Sequence, residues 1–224
     1  MIAYGRTALT IFVKDMRLEV RTKESIISML VFSLLVAFIF NFAFDPSPQT
    51  IGLVAPGVVW VAYVFTGVLG LNRSLGLEKD RGTLDGLLLA PIGRDTIYAG
   101  KLLSVFTLML VVEVLMVPVF LLFYDVSLAE PWFVPVALLA TLGFAAVGTI
   151  FSAIAVNTGA REVMLPLLFL PVVLPLVIAA VTTTGSILSG DGWDALAKWI
   201  GLMGAFDVVF LVVSSLAFEF VVEE

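Results

Sequence analysis

Glu78-Lys79-Asp80-Arg81-Gly82-Thr83-Leu84-Asp85-Gly86-Leu87-Leu88-Leu89-Ala90-Pro91 is a charged turn running into a short leucine-rich helix, set between two apolar runs each long enough to cross a bilayer. A chain otherwise immersed in lipid has little reason to keep an ordered amphipathic segment in water unless something docks on it. Leu84, Leu87 and Leu88 follow the i, i+3, i+4 spacing of one helix face. Asp80 or Thr83 is placed to cap the first free N–H groups, and Pro91 marks the end. Such a helix offers leucines on one side and acids, Asp85 among them, on the other. Gly82 permits a turn that a Cβ hinders, and Glu78 and Arg81 supply charges for a partner surface.

The flanking sequence confirms the membrane setting. Hydrophobic residues make up 61% of the 224 positions and charged residues only 13%, with a mean hydropathy of +1.13. That is too apolar for a soluble domain and reads as a polytopic, all-α membrane protein. Six stretches suffice to cross the hydrocarbon core, which needs about 20 residues at about 1.5 Å rise each. They lie near 25–44, 51–71, 101–124, 134–156, 163–183 and 200–221, within one transmembrane domain spanning 1–224. Asp45-Pro46-Ser47-Pro48, the stretch from Asp125 to Pro131 and that from Ser186 to Asp194 provide turn chemistry between them.

Charge placement sets the orientation. Arg6, Lys14, Arg17, Arg21 and Lys23 precede the first span, and Arg73, Lys79, Arg81, Arg94 and Lys101 lie between spans two and three, the first four in the cytosolic coupling loop 72–100 and Lys101 at the head of span three. Arg161 lies between spans four and five, leaving only Lys198 on the opposite side. Eleven basic residues against one place both termini in the cytoplasm. The first span follows a charged segment and lacks an Ala-x-Ala cleavage pattern, so it is read as a retained helix and not a signal peptide. Within residues 1–24, Leu9, Phe12, Val13, Met16 and Val20 recur at helical spacing amid Lys14, Arg17, Glu19, Arg21 and Lys23, the pattern of a helix lying in the membrane interface.

Two absences narrow the chemistry. The chain has no Cys and no His, which removes thiolate and imidazole nucleophiles, bases and metal or haem ligands from its own side chains. No glycine-rich phosphate loop with Lys and Ser/Thr is present either, so ATP is not bound by that route. An enzyme is disfavoured, and nucleic acid has no suitable surface. Two acids stand inside spans: Glu113, near the middle of span three, and Asp207, placed about 10 Å inside span six, within reach of interfacial water. Span five carries Pro166, Pro171 and Pro175, which bend a helix or leave it deformable. Gly143, Gly148 and Ala153 in span four allow close helix packing.

The run Glu-x-x-Arg-Gly-Thr-Leu-Asp-x-Leu-Leu-Leu-x-Pro, with Gly100-Lys101 at the head of the next span, resembles the loop of type-2 ABC exporter permeases. In that superfamily this segment is the coupling helix, seated in a groove of a cytosolic ATPase. Three features look most like the B subunits (permeases) of the bacterial System I cytochrome c maturation haem transporter. They are this loop; Asn157-Thr158-Gly159-Ala160-Arg161-Glu162, followed by Leu165-Pro166, Leu170-Pro171 and Leu174-Pro175; and Ala205-Phe206-Asp207 with the acidic tail from Glu219 to Glu224. The resemblance implies an inner-membrane permease with Glu78, Arg81, Gly82, Thr83, Leu84, Asp85, Leu87, Leu88 and Pro91 as ATPase-coupling residues. It also implies as partners a second copy of the chain, the ATPase subunit that holds ATP, and haem-handling membrane subunits. With neither His nor Cys here, haem in such a complex is expected to be ligated by the other subunits. A permease for lipid, drug or glycan is the nearest alternative, and a passive scaffold or channel is another.

Overall fold

A computed structural model describes residues 2–44, 51–80, 82–126, 128, 130–156 and 161–222. Among them the chain forms eight helices: α1 (Ile2–Thr22), α2 (Glu24–Phe44), α3 (Ile51–Asp80), α4 (Thr83–Leu88), α5 (Arg94–Tyr124), α6 (Phe133–Val156), α7 (Arg161–Leu188) and α8 (Trp193–Val222). Six of them, α2, α3 and α5 to α8, are long and apolar enough to cross a membrane. The protein is therefore an all-helical, multi-pass membrane protein. Arg81, the Asn157 to Ala160 part of the second motif, residues 45–50, where turn chemistry is expected, and the last two glutamates lie outside the described residues.

Helix α6 is the axis of the bundle, packed against α3, α5, α7 and α8. Its small residues allow this. A Cβ on Gly148 would lie 2.3 Å from Leu71 of α3, and one on Gly143 would lie 2.3 Å from an oxygen of Asp207 of α8. Backbones that approach so closely gain the van der Waals contact that holds helices together where lipid removes the hydrophobic drive. By contrast α2 and α8 leave most of their apolar side chains outward, as lipid-facing helices do.

Two expectations about boundaries change. Residues 72–100 are not one loop: α3 runs on to Asp80 and α5 starts at Arg94, so only 81–93 remain between the long helices. Hydropathy records where lipid ends, whereas helical hydrogen bonding continues into the polar flank. For the same reason span six begins at Trp193, ahead of its apolar run. Span five stays one helix through Pro166, Pro171 and Pro175.

Helix α1 packs on α5 and touches α2. Among its described side chains, Ala8, Ile11 and Glu19 are buried. Leu9 and Val20, from the apolar stripe, stay exposed and free to meet lipid. A single residue, Lys23 at φ 57°, separates α1 from α2, and Glu19 closes the corner by accepting the Ile26 N–H at 3.0 Å. That satisfies one of the free donors at the start of α2.

Candidate functional site

Among the described residues, two groups of buried acidic and basic side chains stand out in this apolar bundle. The first lies where α1, the end of α3 and the start of α5 meet. Lys101 is only 1% exposed, and its ammonium sits 2.9 Å from Asp15 Oδ2 and 2.8 Å from Glu78 Oε2. Lys14 completes the figure, 3.1 Å from Asp15 Oδ1 and in contact with Glu78 Oε1. Each carboxylate thus bridges both lysines, one through each oxygen, giving a closed ring of alternating charge with no net charge. Ser104 adds a hydrogen bond to Asp15 Oδ2 at 3.1 Å. Burial lowers the Lys14 pKa, but the hydrogen bond to Glu78 and the charges of Asp15 and Glu78 outweigh it and hold Lys14 above the ordinary lysine range. Lys14 therefore keeps its charge at neutral pH.

This ring corrects the expected role of Glu78. Its carboxylate does not reach outward to a partner's charges; it turns into the bundle and is buried against Lys101. The reason is compensation, since a buried ammonium strands a large desolvation cost unless carboxylates meet it.

Helix α4 hangs beside the ring, packed on α3. Thr83 opens it, donating its hydroxyl hydrogen to the Glu78 carbonyl at 3.2 Å, which ties the two helices together. Gly82 adopts φ +65°, with open space around it, so it is the conformation and not crowding that demands glycine. Pro91 follows the helix end by three residues, and Asp95, in the first turn of α5, accepts the Thr96 N–H at 2.8 Å. Leu87 is partly buried and packs on the chain's own core. It is Leu89, 86% exposed, that stands out into solvent. Spacing alone passed over Leu89, because it falls just beyond the helix end. Leu84, Asp85 and Leu88 belong to α4, but their side chains lie outside what the structure describes.

The second group lies mid-bundle, around α6. The Thr141 hydroxyl donates to Glu113 Oε1 at 2.6 Å, and Tyr63 donates to the Glu113 backbone carbonyl at 3.2 Å. Glu113 Oε2 has no hydrogen-bond partner among the described residues. Thr141 also borders a crevice of about 10 Å³, room for roughly one water, lined by Trp60, Tyr63, Met109, Phe144 and Leu176 among others. On the other side of α6, Asp207 is 3% exposed and neither of its oxygens has a partner among the described residues. Thr141 and Gly143 are two positions apart, about 200° around the helix and about 3 Å along it. The two acids therefore approach opposite faces of α6 at nearly one height. Fourteen residues of α8 precede Asp207, and its carboxyl is enclosed by the protein.

The Thr141 bond makes a first prediction. Thr141→Val deprives Glu113 of its side-chain donor and leaves both carboxyl oxygens buried and unpaired, which costs about 1–3 kcal/mol. The apparent unfolding midpoint of the purified protein in detergent should fall accordingly, whereas Glu113→Gln, which keeps an acceptor for Thr141, should change it little.

A bundle of six spans, with a short helix held between the second and third and an internal charge ring beside it, defines a multi-pass membrane protein. The family model described as CcmB protein matches residues 6–224. A Paracoccus denitrificans protein named heme exporter protein B is 31% identical over 169 residues, covering 75% of this chain and 78% of the relative. A Rhodobacter capsulatus protein of the same name is 29% identical over 166 residues, 74% of this chain and 76% of the relative. One from Haemophilus influenzae is 26% identical over 211 residues, 93% of this chain and 94% of the relative. The chain belongs to the CcmB protein family.

Proposed function

We propose that this chain is the inner-membrane permease subunit of an ABC-type complex in cytochrome c biogenesis, with both termini in the cytoplasm. A separate ATPase subunit docks on α4, and its hydrolysis of ATP drives haem delivery or release of a haem-loaded chaperone. The observation that carries the reading is the family match over nearly the whole chain, joined by relatives named for haem export. The geometry agrees with a coupled subunit: α4 is a short helix packed on the end of α3 and set between two long helices in the chain, with an exposed leucine beside it. A rigid element of this kind converts a push from a partner into a change of helix packing. Haem is held by the other membrane subunits, since no His or Cys of this chain is there to ligate it.

The test is copurification of the ATPase. A fully exposed leucine gives little to the fold but a good deal to a partner that covers it, roughly 1.5–3 kcal/mol. Leu89→Asp is therefore expected to release the ATPase while the chain accumulates normally. Leu87→Asp is expected to release it too and also to loosen α4, because Leu87 is partly buried inside the chain. Full ATPase recovery with Leu89→Asp refutes docking at this helix.

A further inference from the structure

The charge ring does more than neutralise its own members. It joins both flanks of α4 to α1: Glu78 stands at the end of α3 just before α4, and Lys101 stands in the second turn of α5 just after it. Gly100 brings α5 onto α1, since a Cβ there would lie 2.8 Å from Ile11 Cβ and 3.0 Å from the Ala8 carbonyl oxygen. At its far end α1 turns into α2 through Lys23 alone, with the Lys23 N–H on the Glu19 carbonyl at 2.6 Å and the Glu19 carboxylate on the Ile26 N–H. Helix α4 packs on the end of α3, the ring ties that end to the start of α5 and to α1, and α1 leads into α2.

Burial alone does not call for such a ring, because well-packed apolar side chains of similar volume stabilise a buried site as well or better. What charges add is register. Four contacts, each carboxylate held by both lysines, fix the rotation and height of α1 against α3 and α5, which an apolar contact leaves free to slide. We propose that Lys14, Asp15, Glu78 and Lys101 are positioning residues for coupling, transmitting displacement of α4 through α1 to α2. This rests on the reading of α4 as the ATPase-docking helix.

The cysteine-free chain permits a direct test in the complex with its ATPase. Spin labels are placed at Leu9→Cys on α1 and Gly86→Cys on α4, both exposed, and at Gly86→Cys with Val134→Cys at the start of α6. Distances are then measured with ADP and with a non-hydrolysable ATP analogue. The Leu9–Gly86 distance is expected to stay fixed between nucleotides while the Gly86–Val134 distance shifts. A Leu9–Gly86 distance that changes with nucleotide overturns the proposal without any ring variant. The charge-balanced pair Lys101→Met and Glu78→Gln is the second measurement. It should accumulate and hold the ATPase as the unaltered chain does, broaden the Leu9–Gly86 distribution, and lower cytochrome c maturation about tenfold, a coupling change within the usual range. Maturation at the unaltered rate in that variant, with the ATPase still bound, overturns the transmission role. Failure of the ATPase to copurify with the unaltered chain overturns the docking reading instead, so the two failures are separable.

Discussion

Lys101→Met is expected to destabilise the chain by roughly 3–5 kcal/mol, the cost of breaking a buried ion pair from one side. Lys101 is the most enclosed member of the ring, 1% exposed, and holds a carboxylate on each side. Without it Asp15 and Glu78 share only Lys14, which is about half exposed. Two acids left facing one another across a buried gap repel and lack solvation, so the chain is expected to accumulate in the membrane several-fold below normal. Adding Glu78→Gln removes the surplus charge and is expected to restore accumulation to that of the unaltered chain. The result to measure is this non-additivity, read from membrane abundance and from the apparent unfolding midpoint in detergent. Equal losses in the single and the double variant contradict the ring.

Why the ring escaped the sequence is physical. Lys14 and Glu78 are 64 positions apart, and Asp15 and Lys101 86 apart. No periodicity links them, and each of the two lysines already had a sufficient account as a topology charge. Asp15 was hidden among basic residues. The spans themselves were legible, because an apolar run long enough to cross lipid has few other uses. Their ends were not, since α3 and α5 carry helical hydrogen bonding well past the hydrocarbon. Helix α1 divides its apolar residues: Leu9 and Val20 of the stripe are exposed, whereas the face packed on α5 buries Ile11, Ala8 and Glu19, so spacing did not say which residues meet the protein. Existence of α4 followed from leucine spacing, but the direction of Leu87 and of Glu78 depended on neighbours from other helices. The glycines of α6 were legible as close-packing positions, though what they pack against was not.

That last gap supplies the other large effect. Gly143→Ala is expected to destabilise the bundle by about 1–3 kcal/mol through overpacking. The new methyl group would lie 2.3 Å from Asp207 Oδ1, 2.9 Å from Leu176 and 3.1 Å from Phe206, so at least one neighbour must move. The carboxyl is the critical one, because both its oxygens are buried without a partner among the described residues and it has no favourable bond to lose by leaving. Asp207→Ala empties that space and removes a buried polar group whose unmet hydrogen bonds cost about 1–3 kcal/mol, against which stands the small cavity it leaves. The two changes together exchange a carboxyl on α8 for a methyl on α6 and nearly conserve volume. The double variant is therefore expected to be more stable than Gly143→Ala and at least as stable as the unaltered chain, with a coupling of about 1 kcal/mol or more between the sites. Apparent unfolding midpoints of the four forms in one detergent close the cycle. Simple additivity means that α8 does not press its carboxyl against Gly143. A double variant that is stable yet slow in cytochrome c maturation means that the protein keeps an energetically unfavourable acid because its working cycle uses it.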